Sequence, residues 1–261
     1  MRAESCGSED YYEIKEVDRK LSYFLITSSS IICDVGGASG IDIFPQAMLG
    51  SFGVCLDINR KAVKLGKILS KRKSIQDKVE FMVANATNLP FRNCSFDLVT
   101  CFSVLDHLPC NRYVSLSVHE FSRVVKDSGY VVITVPNRFF IIGTLSRKMK
   151  RLLDSARKEI RFTPKEMQEI MILSGLTPIA FYSKYPTKIG NTVLKYNLPK
   201  VVRKFPRWVI NPFFSIAENL FQKMERRSCF RLFGARFGYL SKKSVQDHER
   251  QNQVDAITLE V

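Results

Sequence analysis

The residues best equipped for chemistry lie in IICDVGGASG, Ile31 to Gly40, an apolar run that ends in an acid and then a glycine-rich turn. A second run, SFGVCLD, ends in Asp57, seventeen residues after Gly40. Glycines let backbone approach a ligand closely, and a carboxylate at the tip of the neighbouring strand can hold two ribose hydroxyls. Together they describe a nucleotide pocket. The spacing departs from a dinucleotide fingerprint: read as G-x-G-x-x-G from Gly36, the third and sixth positions are Ala38 and Ile41. No phosphate-cradling lysine follows the turn, which excludes a P-loop.

Further along, Val83 to Val99 reads VANATNLPFRNCSFDLV, followed by TCFSVLDHL and HEFSRVVKDSGYVVITVPN. In that order and spacing the segments resemble the class I S-adenosylmethionine-dependent methyltransferases, in their small-molecule and lipid-precursor branch. The shared signs are Leu89-Pro90-Phe91, Ser95-Phe96-Asp97, Leu105 with His107, Arg123-Val124-Val125-Lys126, Gly129 and Pro136-Asn137. They cover roughly residues 31–140, with weaker echoes at Phe162-Thr163 and in GARFGYL near the end.

The resemblance implies S-adenosyl-L-methionine as cofactor and assigns roles to particular positions. Gly36, Ala38 and Gly40 form the turn beneath the methionine part, braced by Asp34. Asp57 clamps the ribose and Ile58 lies against the adenine face. Asn85 and Ala86 meet the adenine edge, and Cys101, Phe102 and Ser103 line the floor near the sulfonium. Two positions depart from the family pattern. Ala38 stands where a glycine is usual, and its methyl is tolerable only if the backbone there has ordinary angles. Asn85 replaces an acid; its side-chain oxygen can accept a bond from the adenine amino group, without charge assistance, or hold its own loop. Asp57 has its own alternative, capping the next helix.

Asp106 and His107 follow the fourth strand, where an open α/β sheet presents ligands. Methyl transfer from a sulfonium is an in-line displacement, and a hydroxyl acceptor must also lose a proton, a task suited to histidine. The alternative for His107 is a packing role. In quinone-precursor O-methyltransferases a similar position carries an acid and a histidine associated with a metal. Ser103 stands where that pattern has another acid, so no metal is assigned. Tyr11 and Tyr12 sit where related enzymes close an aromatic residue over the cofactor, or where a leading segment simply packs.

The elements that must position these residues are strands near 31–35, 53–57, 79–84, 96–101 and 130–135, with helices at Lys61–Arg72 and Tyr113–Val125 between them. This β-α-β alternation predicts an α/β, doubly wound, mostly parallel sheet with helices on both faces. Phe181–Tyr182 and Ala235–Leu240 complete seven strands in the Rossmann-like arrangement the resemblance implies, the last strand antiparallel. A leading helix is expected over 13–27, where apolar residues recur at helical spacing. One domain spans 1–243, with its core at about 28–140. Basic, partly helical insertions occupy about 138–161 and 186–233, and 244–261 is a tail.

Residues 138–243 hold 23 Lys/Arg against 6 Asp/Glu, whereas residues 1–137 hold 16 against 15. In the second insertion, Phe213, Phe214, Ile216, Ala217, Leu220, Phe221 and Met224 recur at helical spacing beside Arg226 and Arg227. This basic field suits an acidic-headed, apolar acceptor and peripheral contact with an anionic membrane surface. The same field admits a nucleic-acid acceptor, although Phe102 to Leu105 replaces the Asn/Asp-Pro-Pro-aromatic motif often used in base N-methylation. A third reading, a non-catalytic scaffold, rests on Ala38 and Asn85. No apolar run is long enough to span a membrane, no secretory leader is recognisable, and the seven cysteines form no C-x-x-C pair; a cytoplasmic setting is expected. The reading with most support is methylation of oxygen on a small-molecule or lipid-linked acceptor.

Overall fold

A computed structural model describes residues 25–139, 159–184 and 236–244. Apolar, β-branched runs form the strands β1 (Ile31–Val35), β2 (Phe52–Asp57), β3 (Val79–Val83), β4 (Phe96–Phe102) and β5 (Val125–Pro136). They are followed by β6 (Leu176–Lys184) and β7 (Arg236–Lys243). The sheet has seven strands in the order β3-β2-β1-β4-β5-β7-β6. The pairs β3-β2, β2-β1, β1-β4 and β4-β5 are parallel, and β7 runs antiparallel to both β5 and β6. The expected seven-stranded, mostly parallel sheet with an antiparallel last strand is what forms.

Alternation along the strands sends side chains to two cores. On one side Cys33, Val35, Val99, Cys101, Ile133 and Val135 pack with Val114, Val118 and Phe121 of α3 (Asn111–Val124) and with Met167 and Met171 of α4 (Pro164–Leu173). On the other, Ile32, Cys55, Leu98 and Val132 meet Ile43 and Phe44 at α1 (Phe44–Met48) and Val63 of α2 (Arg60–Arg72). Both faces are therefore covered, as a parallel sheet requires.

Two helices go beyond the expected elements. The short α1 carries Pro45 in its first turn. α4 begins with a full capping box: the Thr163 hydroxyl accepts from the Glu166 N–H at 3.2 Å, and the Glu166 carboxylate accepts from the Thr163 N–H at 2.8 Å. β6 is also longer than the two residues expected. The leading helix up to residue 24, Tyr11 and Tyr12, most of the first insertion, all of the second and the tail beyond Ser244 lie outside the described residues.

Strand order reverses at β1, which pairs with β2 on one side and β4 on the other. In such sheets the crevice beyond the carboxyl ends of these strands receives ligands. The loops after β1, β2, β3 and β4 all open there.

Candidate active site

The turn after β1 is built by backbone conformations few residues tolerate. Gly36 has φ +72°, Ala38 φ +51° and Gly40 φ +78°. The N–H groups of Gly36 and Gly37 both donate to the Leu56 carbonyl, at 2.7 and 3.2 Å, which ties the turn to β2. A Cβ on Gly36 would lie 2.3 Å from the Val104 side chain, so the loop after β4 rests directly on this glycine. Asp34 is buried under the turn, its Oδ1 accepting the Thr100 hydroxyl at 2.8 Å.

The condition of ordinary angles is not met at Ala38: it occupies the left-handed region, at a cost of about 1–2 kcal/mol for a residue with a Cβ. The compensation is visible. The Ala38 N–H donates to Asp57 Oδ2 at 3.0 Å, a charge-assisted bond that holds the turn in this shape.

Asp57 thus stands at the tip of β2 against the glycine turn. Its Oδ1 accepts the Asn59 N–H at 2.7 Å, and Asn59, rather than Asp57, caps α2 by accepting from the N–H groups of Lys61 and Ala62. A carboxylate has about four acceptor positions, so two remain for ligand hydroxyls. Ile58, next to it, is 74% exposed, an aliphatic surface presented at the crevice rim.

Asn85, after β3, is exposed, and its side-chain oxygen accepts the Thr87 N–H at 3.1 Å. This is the loop-holding alternative; the oxygen retains one acceptor position. Ala86 beside it is buried. The rest of that loop is clamped from α3. Glu120 Oε2 accepts the Leu89 N–H at 2.6 Å, while Arg123 donates to the Leu89 carbonyl at 3.0 Å and the Phe91 carbonyl at 2.7 Å. Burial pushes the Glu120 carboxyl upward, but the bonds from Arg123 and Leu89 outweigh it and hold it below the usual glutamate range.

At the end of β4 the expected cofactor floor divides. The Cys101 side chain has no exposed surface and belongs to the core, so only its backbone can border the crevice. Burial first, and Asp34 second, push the thiols of Cys33, Cys55 and Cys101 well up, so they are unreactive. Phe102 is 9% exposed and packs into the opposite core. Ser103 turns the chain out of the strand at φ +63°.

Ser103, Asp106 and His107 come together, joined by a residue the sequence reading did not single out. Arg236, the first residue of β7, donates to the Ser103 hydroxyl and places Nη2 3.6 Å from Asp106 Oδ2. Asp106 is wholly buried, and neither carboxylate oxygen has a hydrogen bond among the described residues. His107 is half exposed, with Nε2 3.9 Å from Asp106 Oδ2, beyond hydrogen-bond length. The arrangement is a buried carboxylate flanked by a cation and an accessible imidazole. Among the described residues, no three His, Cys, Asp or Glu side chains converge as metal ligands.

Residues 33–133 match the family model of the methyltransferase domain. Among curated proteins, the chain is 32% identical over 121 residues to the tRNA (carboxymethyluridine(34)-5-O)-methyltransferase of Arabidopsis thaliana, covering 44% of this chain and 27% of that one. It is 28% identical over 101 residues to the ubiquinone/menaquinone biosynthesis C-methyltransferase UbiE of Bartonella tribocorum, covering 38% of each. The matches span from 27% to 63% of the first three curated relatives' lengths. A solved SAM-dependent methyltransferase from Methanosarcina mazei superposes with a TM-score of 0.60 at 17% identity, over 87% of this chain and 98% of that one. That likeness establishes the fold.

Proposed function

We propose that this chain is a class I S-adenosylmethionine-dependent methyltransferase that methylates an oxygen of a small-molecule or lipid-linked acceptor, a reading supported by the match of residues 33–133 to the methyltransferase-domain model. The observation that carries this reading is the convergence of three loops at the switch point: the Gly36 turn, Asp57 bonded to it, and the Val104 loop resting on it. The turn and the carboxylate suit an adenosyl group, since Asp57 stands against the turn at the tip of β2 and retains two acceptor positions.

When bound, S-adenosylmethionine supplies a methyl group on a positive sulfur, open to one in-line displacement. In this reading Asp57 accepts the ribose hydroxyls, Ile58 covers one adenine face, and Asn85 and Ala86 border its edge. Gly36, Ala38 and Gly40 let the backbone approach the methionine end, over the base formed by Asp34. The backbone of Cys101 to Ser103 borders the reacting end. His107, being accessible, takes the proton of the acceptor hydroxyl, with the Asp106 carboxylate 3.9 Å from its Nε2. The likeness to UbiE supports a small-molecule acceptor.

A nucleic-acid acceptor is the second reading, favoured by the likeness to a tRNA 5-O-methyltransferase. One experiment separates them. The purified chain is incubated with methyl-labelled cofactor, a lipid extract and total RNA, and each fraction is counted and analysed by mass spectrometry. Label on oxygen in the organic fraction, lost in Asp57→Ala, is expected. Label confined to RNA would replace the first reading with the second, and label on carbon would correct the acceptor atom.

A further inference from the structure

The near balance of charge over residues 1–137 conceals a segregated patch. Residues 60–80 alone hold eight of the sixteen Lys/Arg, against Asp77 and Glu80. Helix α2 contains six of those cations and no acid. It sits tightly on the sheet through a narrow strip, Val63, Gly66 and Ser70; a Cβ on Gly66 would lie 2.2 Å from the Phe81 ring. Everything on the far side of the helix faces outward.

At 100° per residue the outward side resolves into two stripes. Arg60, Lys64, Lys67 and Lys71 form one, wholly cationic and exposed. The other, Lys61, Leu65, Ile68 and Arg72, lies nearly opposite the buried strip. It places two aliphatic side chains, 48% and 43% exposed, between two cations. What sets this face apart is the combination: an adjacent aliphatic pair enclosed by cations on a helix that carries no acid. Asp77 and Glu80 lie past the helix's C-terminal end; within the helix nothing opposes the positive field.

We propose that the outer face of α2 is a docking surface for an anionic lipid bilayer. The aliphatic pair enters the headgroup–acyl boundary, the flanking cations reach lipid phosphates and carboxylates, and their methylene stems follow the apolar pair inward. Lipid fits better than RNA, because a phosphate backbone would leave Leu65 and Ile68 against charge. Groove-type RNA surfaces pair cations with aromatic rings, which this face lacks. This inference does not depend on methyl transfer: it concerns a surface outside the crevice, and a chain with no turnover could still dock.

The test is sedimentation of the full-length chain with vesicles of phosphatidylcholine containing about one-third phosphatidylserine, and with phosphatidylcholine alone. Binding is expected only to the anionic vesicles, falling about tenfold or more as salt rises from about 50 to about 500 mM. The variant Lys64→Glu/Lys67→Glu/Lys71→Glu should bind at least about 100-fold more weakly. Leu65→Ser/Ile68→Ser should lose about tenfold while keeping the salt dependence. All five positions are exposed, and an unchanged thermal melt checks the fold. Absence of binding to anionic vesicles would overturn the proposal. So would binding that both variants leave intact, or displacement of the chain from vesicles by RNA with the aliphatic pair irrelevant.

Discussion

The strands on either side of β4 do different work. From β1 to β4 the strands are parallel, close in sequence, and carry the glycine turn, Asp57 and the Asn85 loop at their carboxyl ends. From β5 to β7 the sheet becomes mixed, and β7 returns antiparallel to bring Arg236 to Ser103 from 133 positions away. In the proposed reading the first half binds the cofactor through backbone shape and one carboxylate. The second half contributes the Arg236 charge beside Ser103 and Asp106, the proposed reacting end. If that division is real, damage to one half should spare the function of the other.

The largest effect is expected from Arg236→Met. It leaves the buried Asp106 carboxylate without its cation, a change that typically costs on the order of 3 kcal/mol. Denaturant titration should show that loss, and calorimetry should show affinity for S-adenosylmethionine unchanged within about twofold. The double variant Asp106→Leu/Arg236→Met should recover much of the stability. A tenfold loss of cofactor affinity in the single variant would break the division.

On the other side, Gly36→Ala adds a methyl at φ +72° that meets Val104. It should destabilise by about 2 kcal/mol and, unlike Arg236→Met, weaken cofactor binding. Glu120→Gln tests the clamp on the Leu89 loop and should cost about 1.5–3 kcal/mol at neutral pH, by denaturant titration. Glu120 titrates lower in the folded chain than the ordinary value of about 4.3, so its contribution is present above that pH and fades as pH falls through the folded value. Asp97, held down by the Ile31 N–H and Lys126 despite burial, and Glu166, held down by Thr163 and Arg138, act in the same direction. Acid titration of Glu120→Gln should therefore show a shallower loss of stability than the unmodified chain. The smallest effect is a gain: Ala38→Gly relieves the left-handed alanine and should stabilise by about 0.5–1 kcal/mol in thermal or denaturant unfolding.

The same contrast explains what the sequence disclosed. An acid and glycines at the end of an apolar run are local signals, so the turn, Asp57 and the parallel strands were legible. The angle at Ala38 was not, because it depends on a carboxylate nineteen positions away capturing one N–H. Arg236 was hidden for a similar reason: its role exists only once β7 has paired with β5. The burial of the Cys101 side chain was not legible, because alternation alone does not say that both faces of β4 are covered. Helix α4 was readable and overlooked, since Thr163-Pro164-Lys165-Glu166 spells a capped start. The charge of α2 vanished in averaging over a long segment.

The most direct measurement is a calorimetric titration of the purified chain with S-adenosylmethionine, beside Asp57→Ala shown by its melt to be folded. Tight binding by the unmodified chain is expected, reduced about 100-fold or more in the variant, because two hydrogen bonds to a charged acceptor are lost. No heat at about millimolar cofactor, or equal affinity for both proteins, would mean that the glycine turn and Asp57 do not hold an adenosyl group.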